Sequence, residues 1–164
     1  MIAGRARHSA IRVIQIVSAL LALTLSGAMP ANEELDRTFA GSSIIIQTSD
    51  SACYHFDVYL ALTPDQQRRG LMRVRQLPKF SGMLFVYPAD DLHSMWMKNT
   101  LIPLDILFIR RDGSVASIAR MTEPQSLRPI ASDQAVGYVL ELNGGATDEL
   151  GIDTDSLVYL PDLE

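Results

Sequence analysis

The chain has 164 residues, 14 Lys and Arg against 19 Asp and Glu, a formal net charge of −5 and one cysteine. This length suits one domain, and the acidic balance argues against general nucleic-acid binding or adhesion to anionic lipid, both of which need a basic face. The lone Cys53 excludes an intramolecular disulfide, and with no cation beside it in sequence it reads as a small, partly buried residue rather than a reactive thiol.

Residues 1–28 have the pattern of an export signal. Arg5, Arg7 and Arg12 form a positive start, residues 13–25 are apolar apart from Gln15, Ser18 and Thr24, and Ser26-Gly27-Ala28 offers small residues for cleavage after Ala28. The apolar run is short for a membrane span of about 20 residues, although an uncleaved anchor is the alternative. Removing the signal takes three basic residues and no acids, leaving 136 residues at a net charge of −8. Such a chain buries roughly two-thirds of its unfolded surface. The expected location is periplasmic or secreted. The expected partner is a small molecule or an envelope protein, with no nucleic acid and, after cleavage, no membrane.

Residues 29–42 are polar and charged, and read as a flexible lead-in to one globular domain over 43–164. Residues 43–48 carry Ile44-Ile45-Ile46, a β-branched strand signal. Residues 55–62 alternate, with Phe56, Val58, Leu60 and Leu62 on one face and His55, Asp57 and Tyr59 on the other. A helix follows over 64–69. Thr63 caps it, Pro64 fits its first position, Gln66 completes a capping box and Gly70 ends it. Arg68 and Arg69 read as a solvated helix end, whereas Arg73, after the apolar turn Leu71-Met72, is placed for an inward role.

Residues 82–86 and 93–97 read as strands separated by a turn over 88–91. Residues 104–109 are apolar except for Asp105. Arg110-Arg111-Asp112-Gly113 is a hairpin turn and 114–121 its return strand. Residues 123–132 are a loop, 136–142 a strand, 146–150 about one helical turn ended by Gly151, and 156–160 a closing strand. Many short strands with few short helices predict a mainly β fold, a small barrel or sandwich with one or two short helices; an α+β arrangement is the alternative.

The candidate site residues are Arg73, Trp96, Lys98, Asn99 and Asp105. Polar groups in an apolar stretch cost free energy unless satisfied, so Lys98, Asn99 and Asp105 either hold the fold together or form a site. In the binding reading Trp96 packs or stacks, Lys98 holds an anionic group, and Asp105 orients Lys98 or an arginine. In an enzymatic reading Asp105 is the acid or base. A third reading puts Cu(I) on His93, Met95 and Met97, which alternate on one face and include soft ligands, although Met more often fills a core. Zinc is weaker still, since after signal removal only His55, His93 and Cys53 remain. No nucleophile elbow or phosphate-cradling glycine loop is present, and no cofactor is implied.

Gly70-Leu71-Met72, Gly82-Met83-Leu84-Phe85, Trp96-Met97-Lys98-Asn99-Thr100, Pro103-Leu104-Asp105 and Leu140-Glu141-Leu142 with Gly144 together resemble domain of unknown function 192, from about Phe56 to Leu160. The resemblance implies a compact, mainly β single domain, often exported, with no established activity. Its motif positions fall here on Gly70, Met72, Arg73, Gly82, Met83, Trp96, Lys98, Asn99, Thr100, Pro103, Asp105 and Glu141. The chain departs from the pattern at Met95, where an aromatic residue is usual, and at Thr154-Asp155, where a Gly-Asp turn is usual. His93 lies outside the pattern.

Overall fold

In a computed structural model that describes residues 31–160, the apolar alternation of the sequence becomes one large sheet. The elements in chain order are α1 (Ala31–Thr38), β1 (Ala40–Gln47), β2 (Cys53–Ala61), α2 (Pro64–Arg69), β3 (Ser81–Asp91), β4 (Ser94–Met95), β5 (Leu104–Ile109), β6 (Val115–Ala119), β7 (Ile130–Ala131), β8 (Val136–Asn143), α3 (Ala146–Leu150) and β9 (Leu157–Tyr159). Seven strands run in the order β6-β5-β8-β3-β2-β1-β9, while β4 and β7 form a separate two-stranded ribbon. Every pairing in the large sheet is antiparallel except β2 with β3. An isolated bridge between Ser114 and Leu157 joins the two edges, so the sheet is a nearly closed barrel. Among the described residues the fold is thus mainly β, with three short helices.

Period-two alternation sorts the apolar residues into two cores. Ile44, Ile46, Phe56, Val58, Leu84, Leu107 and Leu140 fill the enclosed face. Met83, Phe85, Ile106, Phe108 and Val139 belong to the other face, which Leu35, Leu71, Val74, Met95 and Met97 cover from outside the large sheet.

Several expectations are met closely. Strand β5 has the bounds read from the sequence, and the Arg110–Gly113 turn is closed by the Gly113 N–H on the Arg110 carbonyl at 2.9 Å. Helix α2 carries the full capping box at Thr63 and Gln66. Gly70 ends it at φ +44° and ψ −145°, outside the left-handed helical well, and a Cβ there would lie 3.3 Å from the Phe85 ring.

Four readings are corrected. Residues 31–42 are not an irregular lead-in. They form α1 and the start of β1, and Leu35 and Phe39, one helical turn apart, are buried in the outer core. The turn over 88–91 does not end a strand. Strand β3 runs through it with a register shift between Val86 and Asp91, which accommodates Pro88 without a ladder hydrogen bond. Cys53 is exposed, because it sits on the solvent side of β2's first residues. Leu62 lies beyond the end of β2 and is also exposed. The expected export signal over 1–28 lies outside the described residues. Among the described residues no helix is long and apolar enough to cross a membrane.

Candidate functional site

The outer face of β8 carries a carboxyl group in an apolar setting. Glu141 pairs with Met83 on β3 and Ile106 on β5, near the middle of the sheet. It is 5% exposed, and its Oε2 is buried with no hydrogen-bond partner. Removal from water disfavours the charged form, and burial pushes its pKa up to about 8.

Above Glu141 lies an open cleft of about 350 Å³. Its floor is Glu141, Phe85, Tyr87 and Met95; the end of α2 with Gly70, Leu71 and Met72 lines it as well, and so does Trp96. Helix α2 is fixed over the sheet by the Gln67 side-chain amide, which donates to the Val86 carbonyl at 2.8 Å. Arg68 and Arg69 also border the cleft. Arg68 is paired with Asp65 and Arg69 with Glu34, and Arg69 also donates to the Met72 carbonyl.

The Trp96 wall is a loop held at several points. The Arg73 N–H donates to the Asn99 carbonyl at 2.8 Å, and the Asn99 amide meets the Met72 sulfur at 3.8 Å. The Met97 N–H reaches the Ser126 carbonyl and the Gln125 N–H reaches the Thr100 carbonyl. Arg73 and Asn99 both take positive φ, 66° and 57°, which lets the two loop segments meet. Trp96 remains 49% exposed, and the Lys98 ammonium sits 4.9 Å from its ring centroid.

Of the five expected site residues, Arg73, Trp96, Lys98 and Asn99 are therefore exposed on adjoining loops. The Arg73 side chain points outward to solvent, not inward as the apolar turn before it suggested, because Leu71 and Val74 take the buried positions. Asp105 does not join them. It is fully buried on the enclosed face, where Oδ1 accepts the N–H groups of Met121 at 2.8 Å and Gly145 at 3.0 Å. Oδ2 accepts the Thr147 N–H at 2.9 Å and its hydroxyl at 2.7 Å. Burial alone would raise this carboxyl's pKa, but the four donors outweigh it and hold the group below its ordinary value. Asp105 is a structural tie between β5, the loop after β6 and the start of α3.

The soft-ligand trio is also distributed. The Met97 sulfur is buried against the Thr122 hydroxyl at 3.1 Å, and the Met95 sulfur faces the Tyr87 hydroxyl at 3.8 Å. His93 stacks on Tyr87, ring centroids 3.5 Å apart, with its Nε2 buried and unpartnered. Burial lowers the His93 pKa, and it raises that of Tyr87 to about 12 with a further push from Glu141.

Glu141 is the residue that the sequence reading left out of its site. The signal was available. A carboxylate between Leu140 and Leu142 is as anomalous as one between Leu104 and Ile106.

The fold and cleft define a class: a nearly closed β barrel whose outer face is roofed by loops over a buried acid. The chain belongs to the DUF192 family, described as an uncharacterised ACR, whose model matches residues 45–160. A solved structure from Sinorhizobium meliloti, described as a candidate transcription regulator, shares the fold with TM-score 0.73 and 37% identity, covering 74% of this chain and 94% of that one. Another, a protein of unknown function from Novosphingobium aromaticivorans, aligns with TM-score 0.71 and 32% identity over 73% of this chain and 85% of that one. No curated protein matches the chain.

Proposed function

We propose that this domain is an exported binder of a small polar molecule, taken up in the cleft between α2 and Trp96. The observation that carries the reading is the unpartnered Glu141 carboxyl at the cleft floor. A buried polar atom without a partner costs roughly 1–3 kcal/mol, and a sequence built only for stability would place Leu or Met there. A ligand that completes its hydrogen bonds recovers that cost on binding. The cleft volume falls at the lower end of the range for small-molecule sites, about 300–1,000 Å³. Export rests on the signal pattern of residues 1–28.

The other readings find less support. Acid–base chemistry at Asp105 needs a reachable carboxyl with a raised pKa, whereas this one is sealed, fully paired and lowered. Copper held by His93, Met95 and Met97 would have to break the Thr122 and Tyr87 contacts to the two sulfurs. The described name of the Sinorhizobium relative raises a regulatory role. A nucleic-acid partner would need a basic face, and the helices among the described residues have eight, six and five residues, short for entering a groove.

Trp96 is the sole tryptophan, so its emission reports on the cleft directly. Titration with a panel of sugars, amines, carboxylates and nucleosides should give saturable changes for one class at about 1 mM or tighter, a binding energy of roughly 4 kcal/mol. Those changes should vanish in Glu141→Leu. No saturable response from any class would refute the reading.

A further inference from the structure

The cleft reading leaves the chemistry of its ligand open, and the groups around Glu141 narrow it. We propose that the cleft takes a small organic cation, a primary ammonium or guanidinium compound, whose charged nitrogen seats on the Glu141 carboxyl beneath the face of Trp96. This inference rests on the small-molecule reading above.

Three observations converge. The unpartnered group at the floor is a carboxyl, and its ionised form accepts hydrogen bonds only, so it calls for a ligand rich in N–H donors. The wall beside it offers an exposed indole face, and aromatic faces attract cations. The Lys98 ammonium, 4.9 Å from the Trp96 centroid, already uses that property. The third observation concerns the two arginines bordering the cleft. Each is tied to a carboxylate, Arg68 to Asp65 and Arg69 to Glu34, so their charge at the mouth is offset, and the Lys98 ammonium on Trp96 is the charge that an entering cation displaces.

Seating the cation requires a proton to leave. The Glu141 carboxylic acid loses its O–H proton to solvent, the carboxylate that remains accepts N–H bonds from the ligand, and no other bond changes. The groups around Glu141 hold their charge while this happens. Tyr87, on β3, stays neutral with a pKa of about 12. Met83, Phe85 and Ile106, from β3 and β5, carry no charge. Arg68 and Arg69 of α2 stay cationic. His93, behind Tyr87, has its pKa lowered from 6.5 and is mainly neutral above that pH.

The test is calorimetric titration of the protein with n-butylammonium and n-butylguanidinium chloride, beside n-butanol and butyrate as neutral and anionic counterparts, from pH 6.5 to 9. The cations should bind about tenfold more tightly for each pH unit up to about 8 and level off above it. At pH 6.5, runs in buffers of different ionisation enthalpy should show nearly one proton released per cation. Glu141→Gln should abolish both the slope and the proton release, and weaken binding at pH 8.5 at least tenfold. Should Glu141→Gln fail to fold, Trp96→Ala, altered at an exposed side chain, should still weaken cation binding several-fold. Butanol or butyrate binding in the cleft as tightly as the cations would overturn this inference and leave the small-molecule reading standing. Absence of cation binding, or a pH slope that survives in Glu141→Gln, would overturn it as well; the wider panel would then decide the small-molecule reading separately.

Discussion

Asp105 and Glu141 stand on neighbouring strands one residue out of register, Asp105 opposite Leu142 and Glu141 opposite Ile106, and therefore point to opposite faces of the same sheet. One carboxyl receives four donors; the other has a buried oxygen that receives none. Their charge states diverge accordingly. Asp105 is held ionised below its ordinary pKa, while Glu141 is pushed to about 8 and is largely protonated at neutral pH. The first organises the barrel end and the second is left available at the cleft.

Replacing Asp105 should therefore harm folding. Asp105→Ala leaves three backbone N–H groups and a hydroxyl without their acceptor, and should cost about 3 kcal/mol or more. The carboxyl's folded pKa lies below 3.8, so its stabilisation is complete above that pH and is lost as pH falls through the folded value. Urea unfolding of the wild type and Asp105→Asn should show a deficit at pH 7 that narrows near pH 3. Equal stability at pH 7 would remove Asp105 from this role.

Glu141 should show the opposite sign. Its folded pKa is raised from 4.5 to about 8 by burial, so no ionisation penalty falls on the folded state below pH 4.5 and stability is lost as pH rises from there towards 8. In the unliganded protein the loss should approach about 1.4 kcal/mol per pH unit within that window. Glu141→Gln should flatten this part of the stability profile in urea unfolding at pH 5 and pH 8. Parallel profiles for the two proteins would show that another group titrates there.

The contrast between these two acids shows how far the sequence could be read. Strands β1, β2, β5 and β8 and helix α2 announced themselves because their signals are local: β-branched runs, alternation, a capping box. Helix α1 was hidden, since only Leu35 and Phe39 mark its buried face among polar neighbours. The site was harder. Leu104-Asp105-Ile106 and Leu140-Glu141-Leu142 look alike as strings, and which acid is satisfied depends on where the chain brings Met121, Gly145 and Thr147. Arg73, Trp96, Lys98 and Asn99 share adjoining loops because Trp96 to Asn99 are contiguous and backbone pairing joins Arg73 to Asn99; of the four, Trp96 alone lines the cleft.

Helix α1 gives a direct stability test. Leu35 is fully buried against the outer core. Leu35→Ala should lower the unfolding free energy by about 2–4 kcal/mol, as expected for a truncated core leucine. Were residues 31–38 only loosely attached, the urea midpoint would not move.

The barrel seam can be probed at Gly113. It has φ +85°, and a Cβ there would lie 2.3 Å from the Val158 carbonyl oxygen, the point where β9 meets the β5–β6 turn. Gly113→Ala combines left-handed strain with a backbone clash and should cost about 3 kcal/mol. Gly151→Ala is the control, with φ +67° but open space around the added carbon; its cost should be near 1 kcal/mol. Thermal unfolding should rank the two variants in that order. Similar losses would mean that the seam tolerates displacement.

Trp96 separates function from stability. About half its surface is already in water, and the loop beneath it is held by the Met97, Thr100 and Gln125 backbone bonds rather than by the indole. Trp96→Ala should shift stability by less than about 1 kcal/mol. It nevertheless removes one wall of the cleft and the aromatic face on which Lys98 rests. Binding of any cleft ligand, followed by calorimetry because the emission is gone, should weaken several-fold while the unfolding midpoint stays in place. A large fall in stability with unchanged affinity would make Trp96 a packing residue and move the recognition surface elsewhere.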